Sequence, residues 1–344
     1  MVARLRSRFQ LATALCAVLA LGACTPSGST LGQTASPAAS PQPPAATAPS
    51  ATPRPAFPVT LTDDDGTEVT IDAEPRAIVS LTPAATETLF AIGAGDRVVA
   101  KVEDVTPYPP AADDLPVVAT YQGVEVEKIV DLDADLVIAG GSNFTPPAAV
   151  EQLRRLGVPV VVVYADSTEG ALHDIELIGD AAGNGDAARD LTASMRAAFD
   201  QIGAATANLP KPRVFYEIDA SSKIYTPAEG SVYAEMLGLA GTRPLLTDAS
   251  YEISLEEIVA FDPEIILLGS PYTTPEQVPD RPGWAGITAV KDGAIVKVND
   301  TIVTRPGPRL VDGLRELVRA VHPDLDLPDA SPAASGLAAA TMRG

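Results

Sequence analysis

Two segments of the chain carry the same order of apolar and polar positions. Residues 127–140 read Glu-Lys-Ile-Val-Asp-Leu-Asp-Ala-Asp-Leu-Val-Ile-Ala-Gly, and residues 256–269 read Glu-Glu-Ile-Val-Ala-Phe-Asp-Pro-Glu-Ile-Ile-Leu-Leu-Gly. Aligned without gaps, Glu127 falls on Glu256, Ile129 on Ile258, Val130 on Val259, Asp133 on Asp262 and Gly140 on Gly269. Each copy opens as a short amphipathic helix, turns at an acidic residue and runs into four apolar residues closed by glycine. Such a run after a helix predicts a buried parallel strand. The spacing between the copies is far wider than the roughly 20–50 residues of a solenoid repeat. The pattern therefore predicts two similar α/β lobes, each holding one copy.

The remaining patterning fits that division. Alternation over 59–62 and 68–71, with Asp65-Gly66 between, predicts a β-hairpin. Strands are expected over 76–81 and 98–102. A helix from Thr82-Pro83 to about residue 92 separates them, closed by Gly93 and Gly95. Helices follow over 146–156 and 167–182. Between these lies 158–164, almost wholly β-branched and expected as a central strand. Strands alternating with helices predict parallel sheets with right-handed crossovers. Residues 186–207 form a long helical pattern without a strand signal on either side, read as a rigid connector. Strands at 213–218 and 294–298, and helices at 231–239 and 309–321, complete the second lobe. The expected organisation is a signal segment at 1–23, a tether at 24–58, an N-terminal lobe at 59–185, a connecting helix at 186–210, a C-terminal lobe at 211–325 and a tail at 326–344.

Composition changes the picture at the ends of the chain. Arg4, Arg6 and Arg8 precede an apolar run over 9–21, too short to span a bilayer comfortably. It ends Leu21-Gly22-Ala23-Cys24, which resembles the lipobox of bacterial lipoproteins; the resemblance implies cleavage before Cys24 and lipid on that residue. Cys16 would leave with the signal, so the mature fold is expected to hold no disulfide. Residues 25–58 are rich in Pro, Ala, Ser and Thr with Arg54 as the single charge, a composition that stays extended. The formal net charge of −21 argues against nucleic acid as a partner and suits a domain outside the cytoplasm.

Catalytic signatures are absent from the sequence: it has no Walker motif, no Gly-x-Ser-x-Gly and no His-Glu-x-x-His. The two histidines are His173, four residues after Glu169, and His322, at a helix C-terminus where a cation is favoured. In open α/β sheets ligands bind beyond the carboxyl ends of the strands. Loops in that position carry Thr82, Tyr108, Tyr121, Ser142 and Phe144 in the first lobe, and Lys223, Tyr225, Tyr272 and Arg305 in the second. Ser254-Leu255-Glu256-Glu257 is a capping box, which explains Glu257 locally and leaves Glu256 at the second helical position. Glu127 occupies the matching place. Two acids in equivalent positions on two lobes suit docking onto a two-fold symmetric partner with basic pockets.

Residues 76–87, Tyr108-Pro109-Pro110, Tyr121-Gln122-Gly123 and both repeat units together resemble the substrate-binding proteins of iron-complex and vitamin B12 ABC importers, over about residues 59–322. The resemblance implies two Rossmann-like lobes with parallel sheets joined by one backbone helix, a ligand held between them, and no catalytic residues. It implies that Glu127 and Glu256 meet arginines of a dimeric permease. It also implies a monomer that is lipid-anchored on the outer side of the cell membrane. Tyr108-Pro109-Pro110 and Tyr121-Gln122-Gly123 look most like cobalamin binders, with Tyr in place of an expected Trp; the single tryptophan is Trp284. A corrinoid ranks first. A ferric siderophore follows, with Lys223 and Arg305 as cations. Haem ranks third, with Tyr121 or Tyr251 as ligand. An enzyme on the same fold and a surface adhesin are the alternatives from other classes.

Overall fold

The computed structural model describes residues 57–327; the signal and tether at 1–56, Cys24 included, and the tail from 328 lie outside the described residues. The chain opens with the hairpin β1 (Val59–Thr62) and β2 (Glu68–Ile71), paired antiparallel. A six-stranded sheet follows, made of β3 (Ile78–Ser80), β4 (Val98–Val102), β5 (Val117–Thr120), β6 (Gly123–Val124), β7 (Leu136–Gly140) and β8 (Val160–Val163). Its order is β6-β5-β4-β3-β7-β8, parallel throughout except for β6 against β5. The connecting helices are α1 (Pro83–Ala91), α2 (Val126–Asp131), α3 (Pro147–Arg155) and α4 (Thr168–Ala182). Helix α5 (Gly185–Thr206) then leads to a second sheet of β9 (Arg213–Glu217), β11 (Arg243–Pro244), β13 (Ile265–Leu268) and β14 (Ile295–Lys297). Its order is β11-β9-β13-β14, all parallel. The short pair β10 (Ile224–Tyr225) and β12 (Glu252–Ile253) lies apart from it, and α6 (Val232–Leu239), α7 (Leu255–Phe261), α8 (Thr288–Asp292), α9 (Asp300–Thr304) and α10 (Leu310–Val321) complete the chain.

Strand residues alternate between two cores, as the period of two requires. In the first sheet Ile78, Leu136, Ile138, Val161 and Val163 face one side, and Val79, Val137, Ala139, Val160 and Val162 face the other. The second group packs on α2 and α3 through Ile129, Val150 and Leu153. In the second sheet Val214, Tyr216 and Leu267 face one way, whereas Phe215, Ile266 and Leu268 pack on Ile258, Trp284 and Ile287. The first-named faces of both sheets belong to one continuous core. Helix α5 supplies Ala188, Leu191, Met195, Phe199 and Ile202 to it, a stripe at helical spacing. It packs against α4, α6 and α10, so a single apolar core runs from one lobe into the other.

Strand β8 stands at the sheet's edge, not at its centre as the β-branched run 158–164 led us to expect. Its side chains are buried in the cores on both faces of the sheet, and the hairpin turn closes its backbone edge. The N–H of Asp64 donates to Val162 O (3.1 Å), that of Val162 donates to Asp63 Oδ2 (3.2 Å), and that of Tyr164 donates to Asp64 Oδ2 (2.5 Å). Arg154 holds Asp63 in place at 2.6 Å. A turn thus satisfies backbone groups that an edge strand would leave open. Phe57 and Leu327 also pack against the core, so ordered packing reaches slightly beyond 59 and 325 at either end.

The two repeat units match down to the backbone. Asp133 and Asp262, equivalent in sequence, both take left-handed φ values, 53° and 48°. The carboxylate of Asp135 accepts the N–H groups of Arg76 (2.8 Å) and Ala77 (2.9 Å), and Glu264 accepts that of Arg213 (2.8 Å). Each unit therefore ties its strand to the start of the neighbouring one.

Polar ties also cross between the lobes. Glu87 of α1 is 2% exposed and binds two arginines of the second lobe, Arg305 (2.6 Å) and Arg309 (2.9 and 2.5 Å). Arg305 also binds Asp104 (3.0 and 3.1 Å), and the Arg309 guanidinium lies 4.1 Å from the centre of the Tyr108 ring. Near the start of α4, Thr168 donates from its N–H and its hydroxyl to Glu235 of α6, both at 2.7 Å. Removing one partner of a buried ion cluster leaves the others uncompensated, which costs about 3–5 kcal/mol. Glu87→Ala is expected to lower stability by that amount in urea unfolding, whereas Glu151→Ala, which breaks an exposed pair with Arg155, should change it by under about 1 kcal/mol.

Candidate ligand-binding cleft

A cleft of about 790 Å³ lies where the carboxyl ends of the two sheets meet. From the first lobe it takes Thr82 after β3, Gly140, Asn143 and Phe144 after β7, and Tyr164 to Asp166 after β8. From the second it takes Ile218 after β9, Tyr225, the start of α6, and Thr304 to Pro306 between α9 and α10. This is the crevice in which open α/β sheets hold ligands. Asp174 and Ile178, one turn apart on α4, form part of the wall.

The local fold explains several of these positions. Thr82 caps α1, its hydroxyl accepting the N–H of Ala85 at 3.1 Å. Gly140 ends β7 because a side chain there would come within 2.7 Å of Thr82 Cγ2 and 2.8 Å of Phe144 Cβ. Its counterpart Gly269 is constrained likewise, 2.8 Å from the Tyr216 hydroxyl. Tyr251 holds a left-handed backbone at φ 59°, uncommon for a bulky residue and the kind of strain that accumulates at binding sites. Its carbonyl accepts the N–H of Thr226 and its own N–H donates to Asp248 O, so the turn is fixed from both sides.

Of the ten positions expected to contact ligand, Thr82, Phe144, Tyr225, Tyr251 and Arg305 line the cleft. Tyr108, Tyr121, Ser142, Lys223 and Tyr272 do not. Tyr108 stacks on Arg309 between the lobes. Tyr121 and Tyr272 are 91% and 86% exposed, at the carboxyl ends of β5 and β13, and Ser142 is exposed beside Asn143. Lys223 is held by both oxygens of Glu252, at 2.6 and 2.7 Å. Trp284 is buried in the second lobe, stacked near Phe215 and under Arg281. The sequence reading missed Asp174, Tyr164 and Tyr233 in the wall. Asp174 carried a faint signal, an acid placed on the apolar side of a helix.

Polarity in the cleft is uneven. Among the described lining residues Arg305 is the single cation, and Glu87 and Asp104 engage it. The lining acids are Asp166, Asp174 and Glu229. Asp174 is 6% exposed, and burial pushes its carboxyl up to about 9, with Asp64 and Asp166 adding like charge. It is therefore uncharged at neutral pH. Glu127 and Glu256 lie outside the cleft, exposed and each at the second position of its helix. The Ser254–Glu257 capping box is present, whereas α2 has no side-chain cap.

Comparison with known proteins agrees with this geometry. The periplasmic binding protein family matches residues 78–301. The uncharacterized ABC transporter substrate-binding lipoprotein YvrC of Bacillus subtilis is 34% identical over 275 residues, covering 78% of this chain and 87% of that protein. A cobalamin-binding protein of Halobacterium salinarum is 32% identical over 340 residues, covering 92% and 85%. The crystal structure of the vitamin B12 binding protein BtuF of Vibrio cholerae superposes with a TM-score of 0.62 at 26% identity, over 72% of this chain and 97% of that one. With two facing sheets, a cleft between them and a match over most of the folded residues, the chain belongs to the periplasmic binding protein family of ABC-importer substrate-binding proteins.

Proposed function

We propose that the protein captures a metal-bearing ligand, a corrinoid first, in the cleft between its lobes and delivers it to a membrane permease. The observation that carries this reading is the cleft at the carboxyl ends of both sheets. Its volume falls within the roughly 300–1,000 Å³ of small-molecule sites. Phe144, Tyr164, Tyr225, Tyr233 and Tyr251 give it aromatic walls suited to a large planar ring system. The relatives named for cobalamin or vitamin B12 support the same class. Haem is the second reading, because Tyr225 and Tyr251 bring phenols to the cleft.

No step of this function needs catalysis: the ligand is bound and released unchanged. Cys24 would carry the lipid that keeps the domain at the outer face of the membrane, in line with the lipoprotein named among the relatives. No helix among the described residues is long and apolar enough to cross a membrane. Glu127 and Glu256 would be the contacts with the permease. Both are exposed, both stand at the same place in the duplicated unit, and neither forms an ion pair among the described residues.

Colour gives the direct test. Purified protein mixed with cyanocobalamin, a ferric siderophore or haem and then desalted should carry the corrinoid spectrum with it; loss of all three chromophores on desalting would remove the solute-binding reading. A haem spectrum alone would select the second reading. For docking, Glu127→Arg combined with Glu256→Arg should cut permease-dependent uptake at least tenfold while the purified variant retains ligand like the parent. Unimpaired uptake would dismiss these two residues as contacts.

A further inference from the structure

The charge around the cleft discriminates among metal-bearing ligands. A siderophore built on catecholates, or a porphyrin with its carboxylates, brings negative charge that a binding site must meet with free cations. Here the lining cation, Arg305, already donates to Glu87 at 2.6 Å and to Asp104 at 3.0 and 3.1 Å across the lobe boundary. Lys223, another cation on the second lobe's loops, stands outside the cleft and is bound by Glu252. The acids of the wall are not neutralised in this way. Asp166 and Glu229 are exposed and form no ion pair among the described residues. Asp174 is buried in the wall, and the ionisable groups that act on it are the carboxylates of Asp64 and Asp166.

We propose that the cleft selects against negative charge: it takes a metal-bearing ligand with an uncharged or cationic periphery rich in hydrogen-bond donors, such as primary amides, and turns away one that brings carboxylates or catecholates to the same wall. The proposal rests on the solute-binding reading above and narrows it. Asp166 and Glu229 would accept hydrogen bonds from amide N–H groups, and the phenols of Tyr225, Tyr233 and Tyr251 can donate as well as accept. An anionic group there would lie in a field that the bound Arg305 does not offset.

Asp174 adds a pH dependence to this selection. Uncharged at neutral pH, it gains negative charge as the pH passes about 9, so rejection of anions should sharpen on the alkaline side. The cations on the elements packed against α4 are paired. Asp64 on the hairpin turn lies 3.9 Å from His173, and Asp63 is held by Arg154. On α5, Arg196 is bound to Glu169 and Glu176, and Arg189 to Asp180 and Asp186. Glu235 of α6 is bound to Thr168, and Glu87 of α1 to its two arginines. No lysine stands in this set to cancel the new charge.

Equilibrium dialysis of the intact protein against a matched pair of probes reads the effect. The probes are cyanocobalamin and its monocarboxylic acid, in which one amide has become a carboxylate, with a ferric tricatecholate as a third. At pH 7.5 and low salt the uncharged corrinoid should bind at least tenfold more tightly than its acid, and the ferric tricatecholate should be retained least. In Asp166→Asn/Glu229→Gln, two exposed changes whose fold is checked by circular dichroism, the ratio should fall at least threefold. Between pH 7 and 9.5 the ratio should widen in the parent protein and stay level in Asp174→Asn. Equal affinities for the pair, preferred binding of the tricatecholate, or a ratio that the double variant leaves unchanged would overturn the charge selection and leave solute binding standing. Widening that persists in Asp174→Asn would overturn the part given to that residue. Retention of none of these probes would take down the selection, and failure to retain haem as well would take the solute-binding reading with it.

Discussion

The arrangement of the two lobes depends on a core that belongs to neither of them alone. One face of each sheet drains into the same apolar cluster, with α5 laid along it and α6 and α10 packed behind. A hinge that opened the lobes widely would pull this cluster apart and expose apolar side chains to water, at roughly 25 cal/mol for each Å² uncovered. The buried Glu87 adds a geometric condition, since its carboxylate must meet two arginines from the other lobe at once. Thr168 with Glu235 sets a second polar tie away from the first. The cleft is thus the space left between two sheets that share this core and are tied across it.

That same condition determines the chemistry the cleft can offer. Arg305 sits where a ligand could reach it, yet its guanidinium is the centre of the bridge between the lobes. A ligand that captured it would have to leave Glu87, which is almost fully buried, without compensation. The strut and the anion receptor are alternative uses of one side chain, and the structure uses it as a strut. What remains for the ligand is an aromatic surface with acids and hydroxyl groups set into it.

How much of this could be read from the sequence follows from how local each feature is. The duplicated unit was legible because its determinants lie within fourteen consecutive residues: helix, turn, strand and closing glycine. Even the left-handed turns at Asp133 and Asp262 fall at the acids that mark the end of each helix. The capping box at Ser254 was legible for the same reason. The placing of β8 was not, because a fully buried edge strand and a central strand have the same composition; the difference lies in the hairpin turn about 100 residues earlier that covers it. The roles of Arg305 and Lys223 were hidden likewise. Both are basic residues on loops at the expected end of a sheet, which is what a receptor for anions would show. Their carboxylate partners lie 218 and 29 residues away, and pairing over such distances appears in the fold alone. Tyr108 and Tyr121 were read together as aromatic loop residues, but one packs under an arginine and the other stands in solvent.

The two exposed glutamates illustrate what a repeat does and does not explain. A carboxylate at the second helical position is favoured by the helix dipole, by about 0.3–1 kcal/mol. That suffices for Glu127, because α2 has no side-chain cap and Glu127 is the acid of its first turn. It does not suffice for Glu256. Helix α7 already has Ser254 and Glu257 closing its first turn, so a second acid beside them adds like charge to an end that is satisfied. Local stability therefore accounts for Glu127 and gives Glu256 a smaller share, since Ser254 and Glu257 already close that turn. The docking proposed above, by a partner that meets both lobes as equivalents, would account for the two at once.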